Sequence, residues 1–206
     1  MKNATLWLVR HGETEWSRIL KHTGRTDVAL TPAGEVQARN AAPHLRHLQP
    51  GLVLCSPLQR ARQTATLAGF TDFIIDEDLA EWDYGSFEGE RPHDIRIRMS
   101  QADWVIWNSH IPAGDTPGEQ VEDVGERADR VLSRCRASMA SGQNCLLFAH
   151  GHFLRILTAR WLWLPAHQGR LFRLDPVRLS GLGIEHEQPV IQLWNSPAEA
   201  AVHHQA

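Results

Sequence analysis

The chain has 206 residues, 42% of them hydrophobic and 22% charged, an ordinary balance for one medium globular domain with a sizeable core. A formal net charge of −3 gives no electrostatic case for nucleic acid or a membrane surface as a partner. Three scattered cysteines, Cys55, Cys135 and Cys145, exclude a disulfide framework or a cysteine zinc site and point to a reducing, cytoplasmic setting.

Thr5 to Val9 is a short apolar run with β-branched members and reads as a buried strand. It is too short for a signal peptide or a membrane helix, and no later run reaches transmembrane length. Gly12 stops it, and residues 13–30 are expected to form a long loop. Thr31-Pro32 is a helix start, a hydroxyl at the N-cap followed by proline. That helix should run to about Leu48, with Ala38, Ala41, Leu45 and Leu48 on one face, until Pro50-Gly51 breaks it. Leu52 to Cys55 is a second buried strand. Ser56, Pro57 and Gln59 fit a capping box for the next helix, which carries Arg60 in its first turn.

Phe73 to Ile75 is expected to be a short strand. Residues 78–118 are rich in Gly and Pro and should form an irregular cap or substrate insertion within a single domain spanning 1–206. Residues 119–140 predict an amphipathic helix, with Val121, Val124, Ala128, Val131, Leu132, Cys135 and Met139 at helical spacing. Cys145 to Ala149 is a third buried strand, and a helix follows over 152–163, interrupted only by Arg155 and Arg160. Residues 180–186 and 190–194 should close the fold as a hairpin around Gln188-Pro189, and the tail Ala198 to Ala206 is expected to fray. Eight tryptophans are many for this length. Most read as packing, and some could line a substrate mouth.

Strands alternating with helices predict a three-layer α/β/α fold with a mostly parallel central sheet. In such sheets ligands bind beyond the carboxyl ends of the strands. The three best strands end at Val9, Cys55 and Ala149, and just beyond them lie Arg10-His11, Arg60 and His150. Two guanidiniums suit phosphate oxygens, and helix starts after two of the strands add backbone N–H groups. Two histidines add what simple anion binding does not need. One can attack phosphorus and the other can steady the charge that develops. A carboxylic acid should then protonate the leaving oxygen, with Glu81, Asp83 and Glu88 all candidates. Arginines beside both histidines argue against a metal site, and no ligand spacing supports one. His152, two residues past His150, reads as a supporting or structural residue.

Leu8-Val9-Arg10-His11-Gly12-Glu13-Thr14 resembles the signature of the histidine phosphatase superfamily, which includes the cofactor-dependent phosphoglycerate mutases. Four further segments agree: Thr23-Gly24-Arg25-Thr26-Asp27 with Leu30-Thr31 and Gly34; Ser56-Pro57-Leu58-Gln59-Arg60-Ala61; Leu79 to Gly85 with Glu88-Gly89; and Ala149-His150-Gly151-His152. The resemblance implies that His11 becomes phosphohistidine, that Arg10, Arg60 and His150 hold the phosphoryl group, and that Glu81 is the proton donor. It places Ser17 where many members carry a phosphate-contacting Asn, Thr23 and Gly24 at the far end of the substrate, and Asp115-Thr116 where relatives often have Glu-Ser. It implies no cofactor and no metal, a small phosphorylated metabolite as substrate, no nucleic-acid or membrane partner, and a homodimer as an unsurprising assembly.

Mutases of the superfamily are usually longer, with an extended cap and tail. The segments around Thr23 and Glu81 look more like the bacterial phosphatase branch, whose members act on sugar phosphates and sedoheptulose bisphosphate-type substrates. The expected activity is therefore hydrolysis of small phosphomonoesters. The alternatives are mutase-type transfer, a protein-tyrosine phosphatase, or a phosphate-binding module without catalysis.

Overall fold

The computed structural model describes residues 4–198. Its centre is one six-stranded sheet, ordered β3-β2-β4-β1-β5-β6. The strands are β1 (Leu6–Arg10), β2 (Leu52–Cys55), β3 (Ile74–Ile75), β4 (Cys145–Ala149), β5 (Arg178–Glu185) and β6 (Gln188–Pro197). The first four run parallel to their neighbours, while β5 and β6 are antiparallel additions beside β1.

Successive side chains of a strand point to opposite faces, and the core divides accordingly. Leu6, Leu8, Leu54, Cys145 and Leu147 face one layer, and Trp7, Val9, Cys55, Leu146 and Phe148 face the other. Both sides of β1 and β4 are buried, so they read as continuous apolar runs rather than alternating ones. The first face is covered by α5 (Val121–Ala140) and α6 (Gly151–Trp161), with residues 79–111 packed into the same cluster. The second is covered by α2 (Pro32–Leu45) and α3 (Gln59–Leu67). The result is the expected three-layer α/β/α architecture.

The differences from the sequence expectations have local causes. The 13–30 stretch contains a one-turn helix, α1 (Glu15–Arg18), because Thr14 and Ser17 cap it reciprocally. Thr31 does cap α2, accepting from the Gly34 amide at 3.0 Å; after Leu45 the last turn tightens to a 3₁₀ helix, Arg46–Leu48. Ser56 does not cap α3. The chain stays extended through Leu58, the helix starts at Gln59, its N-cap Leu58 makes no side-chain cap bond, and the Asp27 carboxylate accepts from the Gln59 amide at 2.7 Å. The Ser56 hydroxyl is drawn to His150 instead, at 2.7 Å.

The 78–118 stretch is less irregular than its composition suggests, holding an α-helix, α4 (Pro92–Met99), and two 3₁₀ turns, Gly85–Phe87 and Ile106–Asn108. The closing hairpin turns at His186-Glu187, both at positive φ, as a tight two-residue turn requires. Pro189 is instead paired with Ile184 on edge strand β6, where a missing N–H is tolerated. Beyond Ala198, the tail expected to fray lies outside the described residues.

Candidate active site

β1, β4 and β2 are neighbours, so the residues that leave their carboxyl ends converge. The His11 amide donates to the Ala149 carbonyl at 3.0 Å, and the Ser56 amide to Phe148 at 3.0 Å. The rings of His11 and His150 lie 5.2 Å apart, centre to centre. His11 Nδ1 is 2.7 Å from the Gly12 carbonyl oxygen. A carbonyl only accepts, so Nδ1 carries the proton and Nε2 keeps its lone pair. Burial, with Arg60 and Arg10 nearby, holds the His11 pKa well below the usual histidine value. The neutral, nucleophilic form is therefore the resting one.

His150 is oriented by two side chains. Its Nδ1 accepts from Arg60 Nε at 3.1 Å, so its Nε2 carries a proton and donates to Ser56 Oγ at 2.7 Å. Burial and Arg60 keep it neutral in the same way. Arg60 is fully buried and also donates to the carbonyls of Thr23, Gly24 and Thr26 at 2.9–3.1 Å. These four bonds use all but one of its N–H groups. Arg60 thus ties the 23–26 loop to His150, behind His11.

In front of His11 opens a cavity of about 370 Å³. Arg10 lines it, anchored by Nη1 to the Leu174 carbonyl at 2.8 Å, while its buried Nε has no partner among the described residues. Gly151 lets the start of α6 approach this guanidinium, since a Cβ there would sit 3.3 Å from Arg10 Nε.

The sequence left three carboxyls open as the acid, and their geometry separates them. Glu81 lines the cavity. Its Oε1 accepts from the Trp82 and Phe153 amides at 2.9 Å, and its Oε2 from the His152 amide at 3.1 Å. Burial raises its pKa, while those backbone bonds pull the other way. Asp83 accepts from the Gly85 amide and the Thr116 hydroxyl. Glu88 accepts from the Gly24 and Thr26 amides. Neither lines the cavity.

Ser17 and Thr23 line the cavity, but the Ser17 hydroxyl is committed to the Thr14 backbone at 2.9 and 3.0 Å. Gly24 serves the loop: a Cβ there would sit 2.4 Å from the Trp82 carbonyl oxygen. Asp115 is exposed and Thr116 turns to Asp83, both away from the cavity.

Several lining residues were not singled out from sequence. His22, Tyr84, Trp104, Trp107, Arg96 and Arg155 join His152 on the outer wall. The Tyr84 hydroxyl lies 2.5 Å from His152 Nδ1. Arg155 was legible only as an arginine on an otherwise apolar helix, one turn past Gly151. Arg127 was also missed. Buried on α5, it donates to the Asp78, Ala80 and Glu81 carbonyls and pairs with Glu119 at 2.7 Å, fixing the segment that carries Glu81.

Fold and site together define a phosphomonoester hydrolase. The model of the histidine phosphatase superfamily (branch 1) matches residues 6–197. An acid phosphatase of Mycobacterium tuberculosis is 40% identical over 188 residues, covering 90% of this chain and 89% of that one. A sedoheptulose 1,7-bisphosphatase of Saccharomyces cerevisiae is 34% identical over 185 residues, covering 76% and 67%. A solved structure of an open reading frame product from Mycobacterium tuberculosis superposes with a TM-score of 0.88 at 38% identity, covering 96% and 100%. The chain belongs to the histidine phosphatase superfamily.

Proposed function

We propose that the protein hydrolyses small phosphorylated metabolites through a phosphohistidine on His11. The observation that carries this reading is the His11–Gly12 bond, which leaves Nε2 as a free lone pair on the cavity wall beside Arg10. In the first step Nε2 attacks phosphorus and the ester P–O bond breaks. The leaving oxygen takes the bonding pair and the proton of Glu81. In the second, Glu81 accepts a proton from water as that oxygen attacks phosphorus. The P–N bond breaks, and its electron pair returns to Nε2.

Arg10 Nε, buried and without a partner among the described residues, is a donor available to the phosphoryl oxygens. Arg60 contributes mainly by position and charge and the neutral His150 by position, since their bonds point into the protein. Ser17, Thr23 and Gly24 shape the loop side of the site. Residues about 78–118 act as the cap of a single domain.

A cytoplasmic setting fits three free, buried cysteines, and no helix among the described residues is long and apolar enough to cross a membrane. A homodimer is a separate expectation, resting on the superfamily alone. The test is release of inorganic phosphate from small phosphomonoesters by the purified protein, without interconversion of the phosphoglycerates. Interconversion would make the protein a mutase, and absence of release would refute hydrolysis.

A further inference from the structure

The cavity is polar at one end and differently built at the other. Glu81 is the single carboxylate among its described lining residues, against the cations Arg10, Lys21, Arg96 and Arg155. A phosphoryl group at His11 answers Arg10. It leaves the arginines of the outer wall unaccounted for.

Their neighbours sharpen the point. At α4, Arg91 just before the helix pairs with Asp94 at 2.7 Å, and Arg98 pairs with Glu90 at 2.8 Å. On α6, Arg160 pairs with Asp129 at 2.9 Å. Arg96 and Arg155 share those helices, line the cavity, and pair with no carboxylate among the described residues. Each is fixed through Nε to a backbone carbonyl, Arg96 to Trp104 at 3.0 Å and Arg155 to Gly169 at 3.2 Å. Arg155 also donates Nη2 to Arg170 at 3.0 Å and stacks 4.5 Å from the centre of the Trp107 ring. Gly169 permits that anchorage, because a Cβ there would lie 2.9 Å from the Ile156 nitrogen and 3.0 Å from Trp107.

Both forks are therefore oriented in advance; among the described residues, both Nη groups of Arg96 and Nη1 of Arg155 have no acceptor, while Arg155 Nη2 is held by the Arg170 carbonyl. The 104–107 segment joins them: Arg96 holds its first carbonyl and Arg155 covers its last ring. Between this wall and the floor lies His22. Its Nε2 is buried without a partner among the described residues, and its ring sits 4.7 Å from Tyr84 and 5.9 Å from His152.

We propose that Arg96 and Arg155 form a second anion subsite, so that the preferred substrate is a phosphomonoester bearing another phosphate or a carboxylate at the far end of its leaving group. Oriented guanidinium forks suit either group, and His22 meets a polar atom of the linker. This rests on the phosphatase reading for its substrate class, but the subsite can be measured without turnover.

The experiment compares a hexose monophosphate with the hexose bisphosphate that adds one phosphate at the far carbon, and includes a short phosphorylated carboxylic acid to tell which anion fits. Wild type should favour the doubly anionic ester by roughly 10- to 100-fold in kcat/KM, the scale of one or two charge-assisted hydrogen bonds. Arg155→Gln and Arg96→Gln should each collapse that preference towards unity. Arg96 lies on the half-exposed helix α4, so its variant carries the test if Arg155→Gln fails to fold. The same ratio of affinities should appear by calorimetry in His11→Ala protein, which cannot turn the ligands over. If wild type releases no phosphate from any ester, including p-nitrophenyl phosphate, the phosphatase reading falls while the binding ratio still decides the subsite. A wild-type ratio within about threefold of unity, or variants that keep the wild-type ratio, overturns the proposal.

Discussion

At the floor of the cavity, His11 and His150 leave the ends of two central strands with ring orientations set by a carbonyl, a guanidinium and a hydroxyl. At the outer wall, Trp104, Trp107, Arg96 and Arg155 come from the 92–107 segment and the second turn of α6, and the arginines are aimed by backbone carbonyls and, for Arg155, the Trp107 ring. The floor is built from the most deeply buried part of the sheet, where a sub-ångström geometry can be enforced by packing on both faces. The wall is built from the turns and short helix of the 92–107 segment together with α6, and segments of the first kind generally tolerate change better than the scaffold beneath them.

The contrast can be broken most decisively at the floor. His11→Ala should lower hydrolysis of every phosphomonoester on the order of 10⁴-fold or more, because no other group stands ready to attack. Retained turnover in a phosphate-release assay would remove His11 as nucleophile. Next in size, Glu81→Gln should slow esters with poor leaving groups by about 10²- to 10⁴-fold and p-nitrophenyl phosphate far less. An acid works only while protonated, and burial raises the Glu81 pKa. In the wild type, turnover of poor leaving groups should therefore fall as pH rises through that value, and Glu81→Gln should flatten this limb of the profile.

Arg127→Met tests whether the floor depends on a residue that never reaches substrate. It strips a buried ion pair and three carbonyl contacts, and should cost about 3–5 kcal/mol in denaturant unfolding.

The smallest effect belongs to the wall. Burial lowers the His22 pKa from 6.5 to about 4. The unfolded chain takes up that proton first as pH falls, so the stability from neutral His22 is whole above about 6.5 and drains away towards 4. The slope reaches at most about 1.4 kcal/mol per pH unit for this one residue. His11, His150 and His152 shift in the same direction. His22→Phe should make acid unfolding measurably shallower, and an unchanged slope would show that His22 is not held neutral.

The same division explains what could be read from the chain. β2 and β4 are legible to the residue, because strands buried on both faces leave no choice but continuous apolar runs. Their ends then locate Arg10, His11, Arg60 and His150 without any view of the fold. The Ser56 cap was misjudged because a hydroxyl followed by proline is a local signal, and a histidine 94 positions away in the chain outcompetes it. Arg96, Arg155 and His22 had no periodicity to betray them. Their roles arise from three segments meeting, and composition cannot encode a meeting. Glu81 fell between. The need for an acid was clear from the chemistry, but only the path of the backbone separates it from Asp83 and Glu88.

Glu81 accepts from the second and third amides of α6, the helix that His150 begins. The acid is thus also a borrowed cap, supplied by a different part of the chain. In the proposed cycle, giving its proton to the leaving oxygen would make it an anion at the positive end of a helix, and each of those amide bonds would strengthen. On that proposal the protein would grip itself more firmly halfway through its cycle than at the start, and relax when water returns the proton. Protonation state and mechanical stiffness are then one variable here. A descendant that discarded its acid would give up part of its scaffold with its chemistry.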